Sequence, residues 1–172
     1  RSRSPAHGWT GRVVPSGEWS KIVDVMEFIF KPIGVIRSPF TEKDKTPIQA
    51  SRSQAVGQVE VYPEFADGLK DIEALSHIYL LYAFHESQGY QLQVKPFLDD
   101  REHGIFATRY PRRPNPIGFS VVKLLSREGN FLTVEGVDVL DGTPLLDIKP
   151  YVPDFDHRAE VRAGWYETRS QK

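Results

Sequence analysis

The sequence contains no cysteine. Disulfides, thiolate metal sites and cysteine nucleophiles are therefore excluded, and a reducing compartment is compatible with the count. Its five histidines include no His-x-x-x-His pair, so no zinc site is expected. No apolar run approaches the roughly 18 residues that a membrane-spanning helix needs. No secretory signal pattern is visible, and a cytoplasmic protein is the expectation. No glycine-rich phosphate loop joins a strand to a helix, which argues against a Rossmann-type nucleotide site. Basic charge is not in excess either. Lys and Arg total 22 against 23 Asp and Glu, for a net charge of −1 and a pI near 6.6. A nucleic-acid role would have to rest on a local basic patch rather than on the field of the whole chain.

What the sequence does have is a normal supply of core material. Hydrophobic residues make up 40% and aromatics 12% of its 172 residues, enough for one domain with an appendage. Residues 1–25 are rich in Ser, Gly, Pro and Arg and lack sustained periodicity. They read as an upstream extension or leader foreign to the domain, with Met26 as the native start. The alternative is an arm that packs through Trp9 and Trp19. The domain proper is expected over 26–156, followed by a tail over 157–172.

Within the domain, short apolar runs alternate with Gly, Pro and Asp. The segment 28–36 (FIFKPIGVI) reads as a strand whose Pro32 suggests an edge or bulge. Residues 38–54 form a polar loop. Residues 56–62 (VGQVEVY) alternate with period two and predict a half-buried strand. Residues 63–75 read as a short helix or turns. The nearly all-apolar 77–85 (HIYLLYAFH) predicts a buried central strand, and 104–108 another short one. Two longer strands, 119–128 and 131–140, flank Gly129–Asn130, a hairpin signal. Residues 145–151 are placed to close the sheet. Regularly spaced short strands predict a mostly β protein: a small antiparallel β-barrel with short helical or turn insertions.

Three segments carry candidate chemistry. In 107–118 (ATRYPRRPNPIG), three arginines and three prolines fall between Arg109 and Gly118. Prolines stiffen the loop and lower its ordering cost on binding. Arginines can fork onto phosphates or stack on bases. Asn115 between two prolines partly resembles the Asn-Pro-Pro-aromatic loop with which amino-methyltransferases grip a target amine. The plainer reading is a rigid turn with solvated arginines. In 138–151 (DVLDGTPLLDIKPY), Asp138, Asp141 and Asp147 stand with Lys149 and Tyr151 beside apolar runs; the plainer reading is a hairpin turn with charged flanks. Third, His85 and Glu86 end a strand that can hold them rigidly, although a lone His there is commonly a hydrogen-bonded residue at the core edge.

Four strings together, SPFTEKDKTPIQ (38–49), GLKDIEALSHIYLLYAFHE (68–86), GIFATRYPRRPNPIGFS (104–120) and DVLDGTPLLDIKPYVP (138–153), resemble the TsaA-like β-barrel family. Its characterised bacterial members are tRNA adenine N6-methyltransferases, often called TrmO. The resemblance spans about residues 28–156. It implies a small antiparallel barrel that forms a homodimer, with S-adenosylmethionine as methyl donor near the subunit interface. The implied target is the exocyclic nitrogen of threonylcarbamoyl-modified adenosine 37 in the tRNA anticodon loop. It also implies cofactor contacts at Pro47, Ile48, Gln49, His85, Glu86, Arg109, Phe119 and the stretch Glu135, Gly136, Val137 and Asp138. Ile48 stands where family members often carry Arg and supplies no guanidinium. Candidates for substrate contact are Arg112, Arg113, Lys149 and Tyr151. Asn115, Asp138 and Asp141 are the candidates for orienting the target and taking its proton. Alternatives are a non-catalytic S-adenosylmethionine-binding module and a methyltransferase of a small metabolite. An RNA-binding barrel without chemistry would need exposed stacking aromatics, whereas Tyr79, Tyr82 and Phe84 lie in a run that reads as buried.

Overall fold

The computed structural model describes residues 28–42 and 54–167. The chain divides into two units, Arg1–Phe30 and Lys31–Lys172, and the described strands all belong to the second. The expected leader over 1–25, with Trp9 and Trp19, lies outside the described residues, as do Pro47, Ile48 and Gln49.

Eight strands are described: β1 (Gly34–Arg37), β2 (Val56–Val61), β3 (His77–Ala83), β4 (Gln93–Val94), β5 (His103–Gly104), β6 (Ile117–Glu128), β7 (Phe131–Glu135) and β8 (Thr143–Pro150). Six of them close into an antiparallel barrel in the order β1-β2-β7-β6-β3-β8, while β4 and β5 pair as a separate ribbon. The closing strand is β8, which pairs with β1 on one side and β3 on the other, as residues 145–151 predicted. Closure leaves the six barrel strands without an unpaired edge.

Alternation decides what fills the barrel. On β2, β3 and β7, and on β6 as far as Leu124, every second residue is buried, the period-two signature of a sheet with one packed face. Val59, Val61, Ile78, Leu80, Val122, Leu132, Val134 and Leu145 pack with Ile36 in the interior. Leu69 and Ile72, from the 3-10 turns Pro63–Leu69 and Ile72–Ala74, join the same cluster. Among the described residues, no buried side-chain polar atom lacks a hydrogen-bond partner, as a well-formed interior requires.

Four local expectations need correction. The run 77–85 is not buried on both faces: Tyr79 and Leu81 point outward and are only half-buried, because the barrel covers one face of β3. Residues 104–108 are not a strand. The chain leaves β5 at Gly104 and turns through a 3-10 helix at Ile105–Ala107. The first strand begins at Gly34 rather than 28, just after Pro32, which has no N–H to give a ladder. The strand after the hairpin stops at Glu135. There the Gly136 and Val137 N–H groups turn to the Ala55 carbonyl. The hairpin itself is present: Gly129 has φ 61°, as the first central position of a type II′ turn demands.

One close approach in the barrel wall tests this packing. Tyr82 and Gly118 are directly opposed on β3 and β6. A Cβ on Gly118 would collide with the Tyr82 ring and stand 2.7 Å from Cζ of Phe84. Gly118→Ala is therefore expected to cost about 1–3 kcal/mol of stability, the usual range for overpacking a filled interior. It should appear as a lower urea midpoint at unchanged slope. A wild-type midpoint would mean that the ring does not seat there.

Candidate functional site

A cavity of about 1300 Å³ opens at one end of the β3–β6 pair. It is lined by Tyr79 and Tyr82 of β3, Phe84 to Gln88 just beyond it, the segment Thr108–Arg113, β6 from Ile117 to Val121, and Asp138 to Leu140. The proline-arginine lip and the aspartate-bearing segment thus share one hollow. Phe97 and Leu98 border it on another side, together with Trp165 and Tyr166 from near the chain's end.

The lip is held by backbone and side chain alike. The Phe84 N–H donates to the Pro116 carbonyl at 2.8 Å, and the Ser87 hydroxyl to the Pro111 carbonyl at 3.2 Å. Arg113 turns inward. Its Nη1 donates to the carbonyls of Ile105, Thr108 and Tyr110 at 3.2, 2.7 and 3.3 Å. Charge-assisted bonds of this kind are among the stronger ones, so Arg113 staples the loop that carries its neighbours. Arg112 is exposed on the cavity rim and has no partner among the described residues. Arg109 lies with its Cζ 4.9 Å from the centre of the Phe119 ring, within cation–π range.

At the cavity floor three polar side chains form a line. The Ser120 hydroxyl donates to Oδ1 of Asp138 at 2.6 Å, and the Tyr82 hydroxyl lies 2.9 Å from Ser120 Oγ. Burial pushes the Tyr82 phenol well above its usual range, and the nearby Asp138 carboxylate pushes the same way. The phenol therefore stays protonated and available as a donor.

A second cluster buttresses the outer wall. The Asp99 carboxylate is fully buried. It accepts from Arg101 Nη2 and from the Arg101 N–H, both at 3.1 Å, and contacts His103 Nε2 at 3.1 Å. The His103 ring stacks on Trp165 at 4.4 Å, and Trp165 on Tyr166 at 3.8 Å. The Trp165 indole N–H donates to the Ala107 carbonyl. The segment after the single-turn helix α1 (Pro153–Asp156) is thereby fastened, at least through Trp165, to the loop beneath the lip.

Of the residues singled out from the sequence, His85, Glu86, Arg109, Arg112, Arg113, Phe119 and Asp138 line the cavity. Others lie around it. Asn115 is exposed at the apex of the lip, where its backbone carbonyl accepts from Ile117 N–H. Asp141 is engaged by the Ser38 N–H at 3.1 Å and by Arg37 at 3.9 Å. Glu135 pairs in β7, while Gly136 and Val137 are buried behind the wall. Lys149 pairs with Asp147 at 2.8 Å. The Tyr151 ring lies 5.7 Å from that of Tyr79, one ring removed from the cavity. Sequence reading missed Tyr82, Ser120, Trp165 and Tyr166. Ser120 did leave a signal: it is a polar residue in phase with the inward-facing positions of β6.

A small closed antiparallel barrel, with an end cavity that holds arginine and aspartate together under a proline-rich lip, is a ligand-binding class of fold. Residues 35–157 match the family described as tRNA-methyltransferase O N-terminal domain, and the chain belongs to that family. A Pyrococcus abyssi protein named "Probable S-adenosyl-L-methionine-binding protein" is 57% identical over 83% of this chain and 78% of its own length. A mouse tRNA (adenine(37)-N6)-methyltransferase is 35% identical over 87% of this chain but only 36% of its own length. The solved structure of TrmO from Pseudomonas aeruginosa superposes with a TM-score of 0.69 at 43% identity, covering 81% of this chain and 62% of that one. The chain therefore spans less than two thirds of that solved relative.

The Asp99 cluster carries a pH prediction. The Arg101 side-chain hydrogen bond, with further help from the Arg101 N–H and His103, holds the Asp99 carboxyl below the ordinary aspartate range. A group depressed in the folded state adds stability above its unfolded pKa and loses it as pH falls through the folded one. Asp99→Asn is therefore expected to flatten the fall in melting temperature below about pH 4, near the unperturbed aspartate value. A variant with the wild-type acid slope would show that the cluster contributes nothing there.

Proposed function

We propose that this chain is an S-adenosylmethionine-dependent methyltransferase acting on the N6 position of threonylcarbamoyl-modified adenosine 37 in tRNA. The observation that carries the reading is one cavity bordered by both the arginine lip and Asp138. Its size exceeds the roughly 300–1,000 Å³ of a single small-ligand pocket, which suits a cofactor and a nucleotide held side by side. The donor set fits the cofactor: Arg109 offers a guanidinium for a carboxylate, Glu86 offers an acceptor for an ammonium, and Tyr79, Phe84 and Phe119 offer aromatic surface. When bound, the cofactor supplies an electrophilic methyl group on a sulfonium.

The rest falls to the chain. In-line displacement is governed mainly by alignment, which a stiff lip on a closed barrel favours. The target nitrogen is conjugated with its carbamoyl group and weakly nucleophilic, so it needs an acceptor for its proton as the new N–C bond forms. Asp138 is the acceptor this reading selects among the three candidates, since it lines the cavity. Asn115, at the tip of the lip, suits a contact to the incoming loop. Arg112 suits a phosphate of that loop, and Arg113 supports it by holding the lip's shape. A base in an anticodon loop is already partly unstacked, which lowers the cost of presenting it.

The reading extends to a homodimer in the cytoplasm. Successive outward positions of β6, Ile117, Phe119 and Val121, are 41, 46 and 36% exposed. Together with Tyr79 and Tyr151 they make an apolar face of the kind that marks an interface. A second reading, a cofactor-binding module without chemistry, is favoured by the name of the Pyrococcus relative.

Calorimetric titration of the full chain with S-adenosylmethionine, followed by mass spectrometry of nucleosides from tRNA incubated with both, decides between them. The expected result is saturable binding and one added methyl on the modified adenosine. Binding with no methylated nucleoside favours the module, and no binding overturns both. Arg112→Ala should leave cofactor binding intact, weaken tRNA binding and reduce the log–log salt slope by about 0.7, the value for one phosphate contact on a single strand. Unchanged affinity at every salt concentration would remove Arg112 from the interface.

A further inference from the structure

The Tyr82–Ser120–Asp138 line has a direction, and the direction suggests a role. An ionised carboxylate can only accept hydrogen bonds, and a serine hydroxyl has one proton to give. At 2.6 Å from Oδ1, that proton belongs to the Ser120–Asp138 bond. The Tyr82 hydroxyl, 2.9 Å away, must then donate to Ser120 Oγ. Tyr82 is 4% and Ser120 5% exposed, so water does not compete freely for either hydroxyl. Both sit on paired strands of the barrel wall, with Ser120 opposite Leu80 and Tyr82 opposite Gly118. Asp138, by contrast, lies beyond the end of β7 in a segment without regular structure. The rigid partners thus hold the side chain on the less regular segment.

We infer that Tyr82 and Ser120 are positioning residues, a two-hydroxyl relay that fixes the Asp138 carboxylate as an acceptor facing the cavity. The inference rests on the methyltransferase reading, in which Asp138 takes the proton of the target nitrogen. Tyr82 touches no reacting atom and acts on Asp138 only through Ser120. A chain of this kind strengthens each bond in it, and a misplacement of about 1 Å at a reacting centre can cost on the order of a hundredfold in rate.

The test measures kcat and KM for tRNA and for S-adenosylmethionine in the full chain, with Ser120→Ala, Tyr82→Phe and the double variant. Wild type must first bind the cofactor and methylate tRNA. If it does neither, the functional reading fails and takes the relay with it, which the wild type alone reveals. With an active wild type, Ser120→Ala should lower kcat at least about tenfold, within the range expected for misplacing one catalytic group, and leave both KM values essentially unchanged. Tyr82→Phe should lower kcat less. The double variant should be no slower than Ser120→Ala, because the phenol has nothing to act through once the serine is gone. Ser120→Thr, which keeps a hydroxyl, should recover most of the loss. Wild-type kcat in Ser120→Ala, or single effects that multiply in the double variant, would overturn the relay. If Ser120→Ala does not fold, Tyr82→Phe decides: it removes one oxygen and keeps the ring, and a wild-type kcat there overturns the relay.

Discussion

The ring of Tyr82 lies over the bare Cα of Gly118, and the β3–β6 pairing is built around that contact. A side chain at 118 would push the ring away and lift the end of β3, from which Phe84, His85 and Glu86 reach the cavity. The same seating aims the Tyr82 hydroxyl at Ser120, two residues along β6 on the same face. A packing constraint in the barrel wall therefore becomes a geometric constraint on Asp138. Fold and site are joined through one aromatic ring whose carbon edge fills the interior and whose oxygen enters a polar chain.

The lip depends on this wall for its footing. Its far end bonds to the β3 terminus through Phe84 and Pro116, and its near end is gripped by Arg113. Trp165 braces the turn below by way of Ala107. Prolines reduce the number of conformations the free loop can visit, and these bonds select one of them, so little ordering entropy remains to be lost when a ligand arrives. Two adjacent arginines thus do different work. Arg113 directs its Nη1 at the lip's own carbonyls, and Arg112 stays exposed on the cavity rim.

Much of the barrel was legible in the sequence because alternation is a local property. The patterns at 56–62 and 119–128, the glycine of the 129–130 turn and the closing run at 145–151 each report which face is covered. The end of the second hairpin strand was not legible. It stops where Gly136, at φ 100°, redirects two N–H groups to Ala55, some eighty residues earlier. The apolar run GIFAT reads as a strand locally, yet its neighbours offer no partner strand beyond Gly104, so it coils into a 3-10 turn. The candidate site divides the same way. Arg109, Asp138 and the lip stand out by composition. The Tyr82–Ser120 contact depends on the register between two strands 38 residues apart, and period two reveals facing but not register.

Charge explains why such a fold must work through a small number of placed groups. With a net charge of −1, the chain has no general field with which to gather a polyanion, and long-range steering is weak. Under the proposed function, affinity for a nucleic acid would have to come from short-range contacts, chiefly a guanidinium on a rim and aromatic surface inside. Those contacts also discriminate, since their value depends on fit rather than on charge density. Acidic groups in the same cavity would repel a phosphate that strayed inward, while Asp138 can accept the N–H of a base that does enter. On the proposed reading, a near-neutral barrel with arginine at the mouth and aspartate at the floor would sort the two ends of a nucleotide, backbone outside and base within.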